Sequence, residues 1–253
     1  MELLHFTQVK STMDEARKAA EGGQTPPFLV LADRQTEGRG RLEGRCWESK
    51  SGASLAMTLC LEPSASRTPA LSLRAGLGVA TSLQHTERLT GRIALKWPND
   101  ILGLAQSGGE WKKLGGILCE SSALGLFIGI GVNLKPDAYG PALAVKATSL
   151  EELMPDPQSV VFLPELTNLE KVASEIAWGV VASIEDQQWL KKYSSILWGI
   201  GQELRFTAGD PRSSAEGWGR LLGVEEDGSI VLLEQGNIRK RYHSGEISGL
   251  AQI

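Results

Sequence analysis

Between residues 34 and 47 arginines at 39, 41 and 45 are interleaved with glycines at 38, 40 and 44, and Trp47 follows. Glycines let backbone N–H groups approach a phosphate and arginines supply cations, so the segment suits an anion. It matches neither a P-loop nor a dinucleotide fingerprint, and a surface loop with solvated charges has the same composition. Lys96-Trp-Pro-Asn-Asp100 sets a cation and an amide beside an aromatic at the end of an apolar strand, where sites gather; the alternative is a strand ending at a Pro turn with a packed Trp. Lys113-Leu-Gly-Gly-Ile-Leu-Cys-Glu120 puts a lysine at the mouth of a strand whose paired glycines admit another backbone or a ligand. In Ile128-Gly-Ile-Gly-Val-Asn133 glycines alternate with branched residues, the pattern of tightly packed strands, with Asn133 its one polar side chain.

Conventional catalytic sets are missing. The three histidines, His5, His85 and His243, have no zinc-hydrolase spacing, and no GxSxG elbow occurs. A site of Lys, Arg, Gly, Trp and Asn is what remains, and it suits electrostatic handling of a nucleotide and a carboxylate without a covalent enzyme intermediate.

The elements that must position these residues follow from periodicity. Residues 2–9 read as a strand, and Thr12 and Glu15 have capping-box spacing for an amphipathic helix ending at Gly22-Gly23. Phe28 to Asp33 and Ala53 to Leu61 are strands joined by the Gly- and Arg-rich loop. A helix runs from Pro69 to about Leu89, and strands follow at 92–97, 113–121 and 125–133, with a Gly-rich, mobile stretch from Gln106 to Glu110. Residues 136–160 are Pro-rich and irregular, and a third helix is expected from Pro164 to about Trp189. After Gly199 the pattern becomes short alternating strands near 202–207, 216–224, 229–234 and 238–242, with Glu-Asp-Gly at 226–228 as a hairpin turn, the outline of a small β-barrel. Two domains are expected, 1–198 and 199–253.

Bulk properties bound the function. With 253 residues, 42% hydrophobic and 22% charged, the chain is of soluble globular composition and long enough for one large core and a small satellite. A net charge of −4 argues against a nucleic-acid binder. Cys46, Cys60 and Cys119 are too far apart for a CxxC pair and read as reduced thiols. There is no signal-peptide pattern and no apolar run of membrane-spanning length, so a cytoplasmic protein without membrane partners is expected.

In order, Ser11-Thr12, Gln35 with Gly-Arg-Gly-Arg, Lys-Trp-Pro-Asn-Asp, Lys-Leu-Gly-Gly-Ile-Leu-Cys-Glu and Gly-Ile-Gly-Val-Asn resemble the successive motifs of biotin protein ligases over about residues 8–134. The resemblance implies an α+β fold: a mixed sheet flanked by helices, like the class II aminoacyl-tRNA synthetase catalytic domain, plus an SH3-like C-terminal β-barrel. It implies an ATP-dependent ligase that makes biotinyl-5'-AMP and passes biotin to a lysine of a biotin carboxyl carrier protein, with Mg²⁺ on the phosphates and its ligands left open.

By the same resemblance, biotin is bound by Ser11, Thr12, Gln35, Gly38, Arg39, Lys113, Gly115 and Gly116. ATP is bound by Arg41, Arg45, Trp47, Lys96, Asn99, Asp100 and Asn133, and catalysis rests on Lys113, Arg39 and Arg41. Because the first motif begins at Ser11, the monofunctional type without a DNA-binding domain is expected, with a homodimer through the catalytic sheet. The chain departs from the family pattern at Lys10, where an acidic or polar residue is usual, and at Leu42-Glu43, which lengthen the loop. The nearest rival is a lipoate or octanoate ligase or transferase of the same fold, since fold alone does not fix substrate. A non-enzymatic interaction module is disfavoured by the acidic net charge.

Overall fold

The structure, a computed structural model, describes residues 1–42, 44, 46–47, 51–84, 89–105, 109–154, 168–210 and 216–250. Strands β1 (Glu2–Val9), β2 (Phe28–Gln35), β3 (Ser54–Leu61), β4 (Ile93–Lys96), β5 (Asp100–Leu104), β6 (Trp111–Ser122) and β7 (Gly125–Asn133) form a seven-stranded sheet in the order β1-β2-β3-β7-β6-β5-β4. Only β1 and β2 run parallel, and helix α1 (Thr12–Glu21) makes the crossover between them. The other neighbours are antiparallel, so the sheet is mixed.

Helices cover both faces, and the strands record this in their side chains. In β2, Leu29 and Leu31 join the large core beneath α2 (Leu71–Gln84), while Phe28 and Val30 pack with Met13 and Ala16 of α1. A strand buried on both sides reads as a continuous apolar run, and Phe-Leu-Val-Leu-Ala is one. After α3 (Leu150–Leu153), α4 (Leu169–Glu185) lies against α2 at glycine contacts: a Cβ on Gly78 would fall 2.6 Å from the Val180 Cα, so only glycine permits this approach. Helix α5 (Trp189–Ser195) completes this layer and buries Trp189 and Tyr193.

Beyond it, β8 (Glu203–Ala208), β9 (Glu216–Val224), β10 (Ile230–Glu234), β11 (Ile238–Tyr242) and β12 (Gly245–Leu250) form an antiparallel sheet in the order β11-β10-β9-β8-β12. Leu204, Leu221, Leu232 and Ile247 from this sheet belong to the same apolar cluster as the main core. The Trp97 indole N–H also donates to the Gly228 carbonyl at 3.0 Å, joining the two sheets. The expected boundary at 198/199 falls between α5 and β8.

Several expectations need correction. The capping box of α1 does not form, because the Thr12 hydroxyl is engaged by Gln35 and Thr58 while Glu15 pairs with Lys18. Strand β5 was hidden because it follows the Pro98 turn and holds a glycine among five residues; it forms by pairing with both β4 and β6. The third helix stops at Glu185, short of Trp189, because Asp186 turns the chain and its side chain accepts from the Gln188 N–H; a further helix, α5, begins at Trp189. Residues 136–154 are not wholly irregular: 3₁₀ turns at Pro136–Ala138 and Pro141–Leu143 precede α3, whose Ser149 and Glu152 form a capping box. Strand β12, with two glycines, was also missed. Residues 106–108 of the expected Gly-rich loop, residues 155–160 of the expected irregular stretch and the expected start of the third helix lie outside the described residues.

Candidate active site

The C-terminal end of β2 meets the N-terminus of α1, and the local order there comes from one amide. Gln35 is 6% exposed. Its Oε1 accepts from the Thr12 backbone N–H at 2.9 Å and the Thr12 hydroxyl at 3.2 Å, and its Nε2 donates to the Trp47 carbonyl at 3.1 Å. A backbone N–H can only donate and a carbonyl only accept, so these partners fix which end of the amide is which. Thr58 donates to the Thr12 hydroxyl oxygen at 2.9 Å and closes the network. The Ser11 and Thr12 side chains are buried beside it.

The arginine-bearing loop starts from this anchor. The Trp47 N–H donates to the Gly38 carbonyl at 2.7 Å, and Arg39 and Cys46 form an antiparallel bridge, so the two ends of the loop lie side by side. A Cβ on Gly38 would sit 2.0 Å from both the Gln35 Nε2 and the Trp47 carbonyl oxygen, which explains the glycine. Arg39 forks onto Asp14 of α1, and the carboxylate, through its hydrogen bond ahead of its charge, holds the guanidinium more firmly protonated against the opposing effect of burial. Arg41 donates to the Gly245 carbonyl of β12 at 2.8 Å. The loop is thus held to α1 at one arginine and to the second sheet at the other.

Opposite the loop stands β6. Ile101 pairs with Gly115 but Leu102 pairs with Lys113, a bulge of the kind that re-aims a side chain. Lys113 reaches the Asp100 carboxylate at 2.6 Å, and its ammonium stands 5.8 Å from the centre of the Trp47 ring. The Trp47 ring lies against Gly131 of β7, where a Cβ would come within 2.5 Å of it, and its buried indole N–H has no hydrogen-bond partner among the described residues. Gly131 therefore makes room for the aromatic. Asn99 grips β6 by donating to the Ile117 carbonyl at 2.9 Å, in return for the Ile117 N–H to its own carbonyl.

These parts enclose a cavity of about 300 Å³. Ser11, Thr12, Gln35, Arg39, Arg41 and Trp47 line it from one side, and Asn99, Asp100, Lys113 and Gly116 from the other. Four expected residues do not line it. Gly38 is behind Gln35; Gly115 gives space to the Gly131 carbonyl, which a Cβ would approach to 2.6 Å; Lys96 lies over the Trp198 ring. Asn133 is buried and donates to the Thr148 carbonyl, which fastens residues 146–148 against the backbone of Lys113. Arg45 lies outside the described residues.

Sequence reasoning missed Met13, Ile117, Leu143 and Glu246, which also line the cavity. The first two are ordinary apolar positions of α1 and β6, and Leu143 sits in the Pro-rich stretch that matched no pattern. Glu246 enters from β12, and nothing in its neighbourhood marks it in the sequence. A cavity lined by cations from two sides, a fixed amide network and an aromatic ring can hold an anion beside a polar ring. Among the described residues no group of three His, Cys, Asp or Glu side chains could hold a metal ion, and no helix is long and apolar enough to cross a membrane.

Residues 5–137 match the model of the biotin/lipoate A/B protein ligase family, and the chain belongs to that family. It is 30% identical to the biotin--[acetyl-CoA-carboxylase] ligase of Paracoccus denitrificans over 242 residues, covering 90% of this chain and 92% of that protein. It is 29% identical to the bifunctional ligase/repressor of Bacillus subtilis, covering 97% of this chain and 73% of that protein. The biotin protein ligase from Aquifex aeolicus, solved in complex with biotin and ATP, superposes with a TM-score of 0.74 at 29% identity, covering 100% of this chain and 99% of that one. The mixed sheet flanked by helices is the biotin protein ligase fold, and the second antiparallel sheet is consistent with an SH3-like domain.

Proposed function

We propose that the chain is an ATP-dependent biotin protein ligase that makes biotinyl-5'-AMP and then transfers biotin to a specific lysine of a biotin carboxyl carrier protein. One observation carries this reading: Lys113, Arg39 and Arg41 line a single cavity together with the Gln35–Thr12 network. The names of the Paracoccus relative and of the Aquifex complex support the substrates biotin and ATP.

Biotin's ureido ring presents donors and an acceptor that must be matched once water is excluded, and Ser11, Thr12 and Gln35 offer both kinds of group. Its carboxylate then faces Lys113 and Arg39, with Gly38, Gly115 and Gly116 keeping the walls thin. ATP lies toward Arg41, Arg45 and Trp47, with Trp47 against adenine; Asn99 and Asp100 border this side, and Lys96 and Asn133 support it from outside the cavity.

In the first step a carboxylate oxygen attacks the α-phosphorus and pyrophosphate leaves. Two anions must approach, and Lys113, Arg39 and Arg41 offset the charge that accumulates in the transition state. In the second step the neutral amine of the acceptor lysine attacks the acyl carbon, AMP leaves with the bonding pair, and an amide forms as the amine gives up its proton. No side-chain nucleophile is needed. The loop from Arg34 to Trp47 keeps water from the mixed anhydride.

Mg²⁺ accompanies ATP in this reading. The described side chains do not fit a resident metal ion: of the acids lining the cavity, Asp100 is paired to Lys113, and Glu246 comes from the other sheet. Residues 1–198 serve as the catalytic domain and 199–253 as its SH3-like companion, in a cytoplasmic protein without nucleic-acid or membrane partners, as a homodimer through the catalytic sheet. The test is pyrophosphate release by purified protein with ATP, Mg²⁺ and biotin, repeated with lipoate and octanoate. Biotin-dependent release alone supports the reading, and release with lipoate or octanoate alone replaces it by the rival ligase.

A further inference from the structure

Arg39 lines the cavity while a carboxylate outside the lining grips its guanidinium. Nη2 donates to Asp14 Oδ1 at 2.7 Å and Nη1 to Oδ2 at 3.2 Å, and Asp14 is not among the cavity residues. The partners come from different elements, Asp14 from the first turn of α1 and Arg39 from the loop after β2. A two-point fork fixes the plane of a guanidinium, whereas one contact leaves it free to swing. Asp14 is itself well seated, because a carboxylate in the first turn is favoured by the helix dipole. Its helix begins at Thr12, the residue bound to Gln35, so Asp14 refers the position of Arg39 back to the polar end of the cavity.

A second charge pair at the loop base makes a useful contrast. Lys10 and Glu37 stand 3.0 Å apart, but their side chains are 73% and 63% exposed, and a single solvated contact of that kind contributes little. The Arg39–Asp14 pair is less exposed, is doubly bonded, and has its backbone pinned by the bridge to Cys46.

We propose that Asp14 is a positioning residue for the activation step: it orients Arg39 so that the remaining N–H donors meet the anions as the carboxylate reaches the phosphate. A cation already in place needs no reorganisation at the moment of reaction, which is where fixed charges act most strongly. The opposite role is a restraint, in which Asp14 parks Arg39 until an anion competes for it, and removal of Asp14 would then speed the reaction. This inference rests on the biotin-activating reading above.

The test compares the parent enzyme with Asp14→Asn, Asp14→Glu, Arg39→Ala and the Asp14→Asn/Arg39→Ala double variant in steady-state pyrophosphate release with biotin, ATP and Mg²⁺. Asp14→Asn keeps the size but loses the charge and one acceptor. It should lower kcat by about tenfold with the KM for biotin changed less than about twofold, since a transition-state contact is weakened. Asp14→Glu should recover most of the loss, and Asp14→Asn should add nothing once Arg39 is gone. An unchanged or higher kcat in Asp14→Asn, or an equal loss in the Arg39→Ala background, overturns the proposal while the function stands. A parent enzyme silent with biotin overturns both.

Discussion

The Lys113 ammonium lies 2.6 Å from the Asp100 carboxylate, across a bulge between β5 and β6. The site thus carries its own anion next to the cation expected to meet the substrate's. The ammonium has further donors to offer a substrate while Asp100 keeps it aimed. Lys113→Ala should lower biotin-dependent pyrophosphate release by about 10² or more, the usual scale for losing a preorganised charge. Loss of less than about threefold in kcat/KM would remove Lys113 from the activation step.

Gln35→Leu leaves the buried Thr12 N–H and the Trp47 carbonyl without their partner. Each unpaired group costs about 1–3 kcal/mol. The variant should show both a lower Tm by scanning calorimetry and a large rise in the KM for biotin. A variant with the parent's KM would show that the amide serves only to fold the loop.

Gly38→Ala places a methyl 2.0 Å from Gln35 Nε2 and the Trp47 carbonyl oxygen. One of these groups is backbone, so the strain cannot be relieved by a side-chain rotation alone. Activity should fall with the fold intact, giving a far-UV circular dichroism spectrum like the parent's and at least about tenfold lower kcat/KM. Normal kinetics would mean that this loop is repositioned at little cost.

Arg41→Gly cuts the bond from the loop to the Gly245 carbonyl of β12. Freed at that end, the loop should retain biotinyl-5'-AMP poorly, and lysines of bystander proteins should be labelled. The check is avidin blotting of an added non-carrier protein after incubation with biotin and ATP. Unchanged carrier labelling with no stray signal would refute closure by this loop.

His5 bridges Asp33 and Glu170, each at 2.8 Å from one ring nitrogen, and so ties β1 and β2 to α4. Burial alone would lower its pKa, but the hydrogen bonds to Glu170 and Asp33, together with their charges, raise it above the ordinary 6.5. The folded state therefore binds the proton more tightly than the unfolded one. The stabilisation is full below the unfolded value and is lost as pH rises through the raised folded value. Tm measured across that window should fall more steeply for the parent than for His5→Gln; parallel curves would exclude the bridge as the cause.

Much of this was legible in the amino-acid sequence. Alternation and apolar runs predict β2, β3 and β7, because burial on one or both faces of a strand leaves a mark along the chain itself. Arg39 and Lys113 stand out by type and spacing, Gln35 and Trp47 through the resemblance to the ligase motifs, and the structure brings all four to one cavity. Other features left no local mark. Strand β5 is held by its neighbours more than by its own five residues, and the Thr12 hydroxyl is diverted from helix capping by a glutamine 23 positions away.

The sequence by itself determined which groups are present and which stretches must be buried, since composition and periodicity are properties of neighbours along the chain. Only the tertiary structure decided who meets whom: Arg39 with Asp14, Lys113 with Asp100, and Arg41 with a carbonyl 204 residues further on. Such pairings depend on the order of strands in the sheets and on one bulge, and an ion pair or a single hydrogen bond imposes no repeat that reading along the chain could detect.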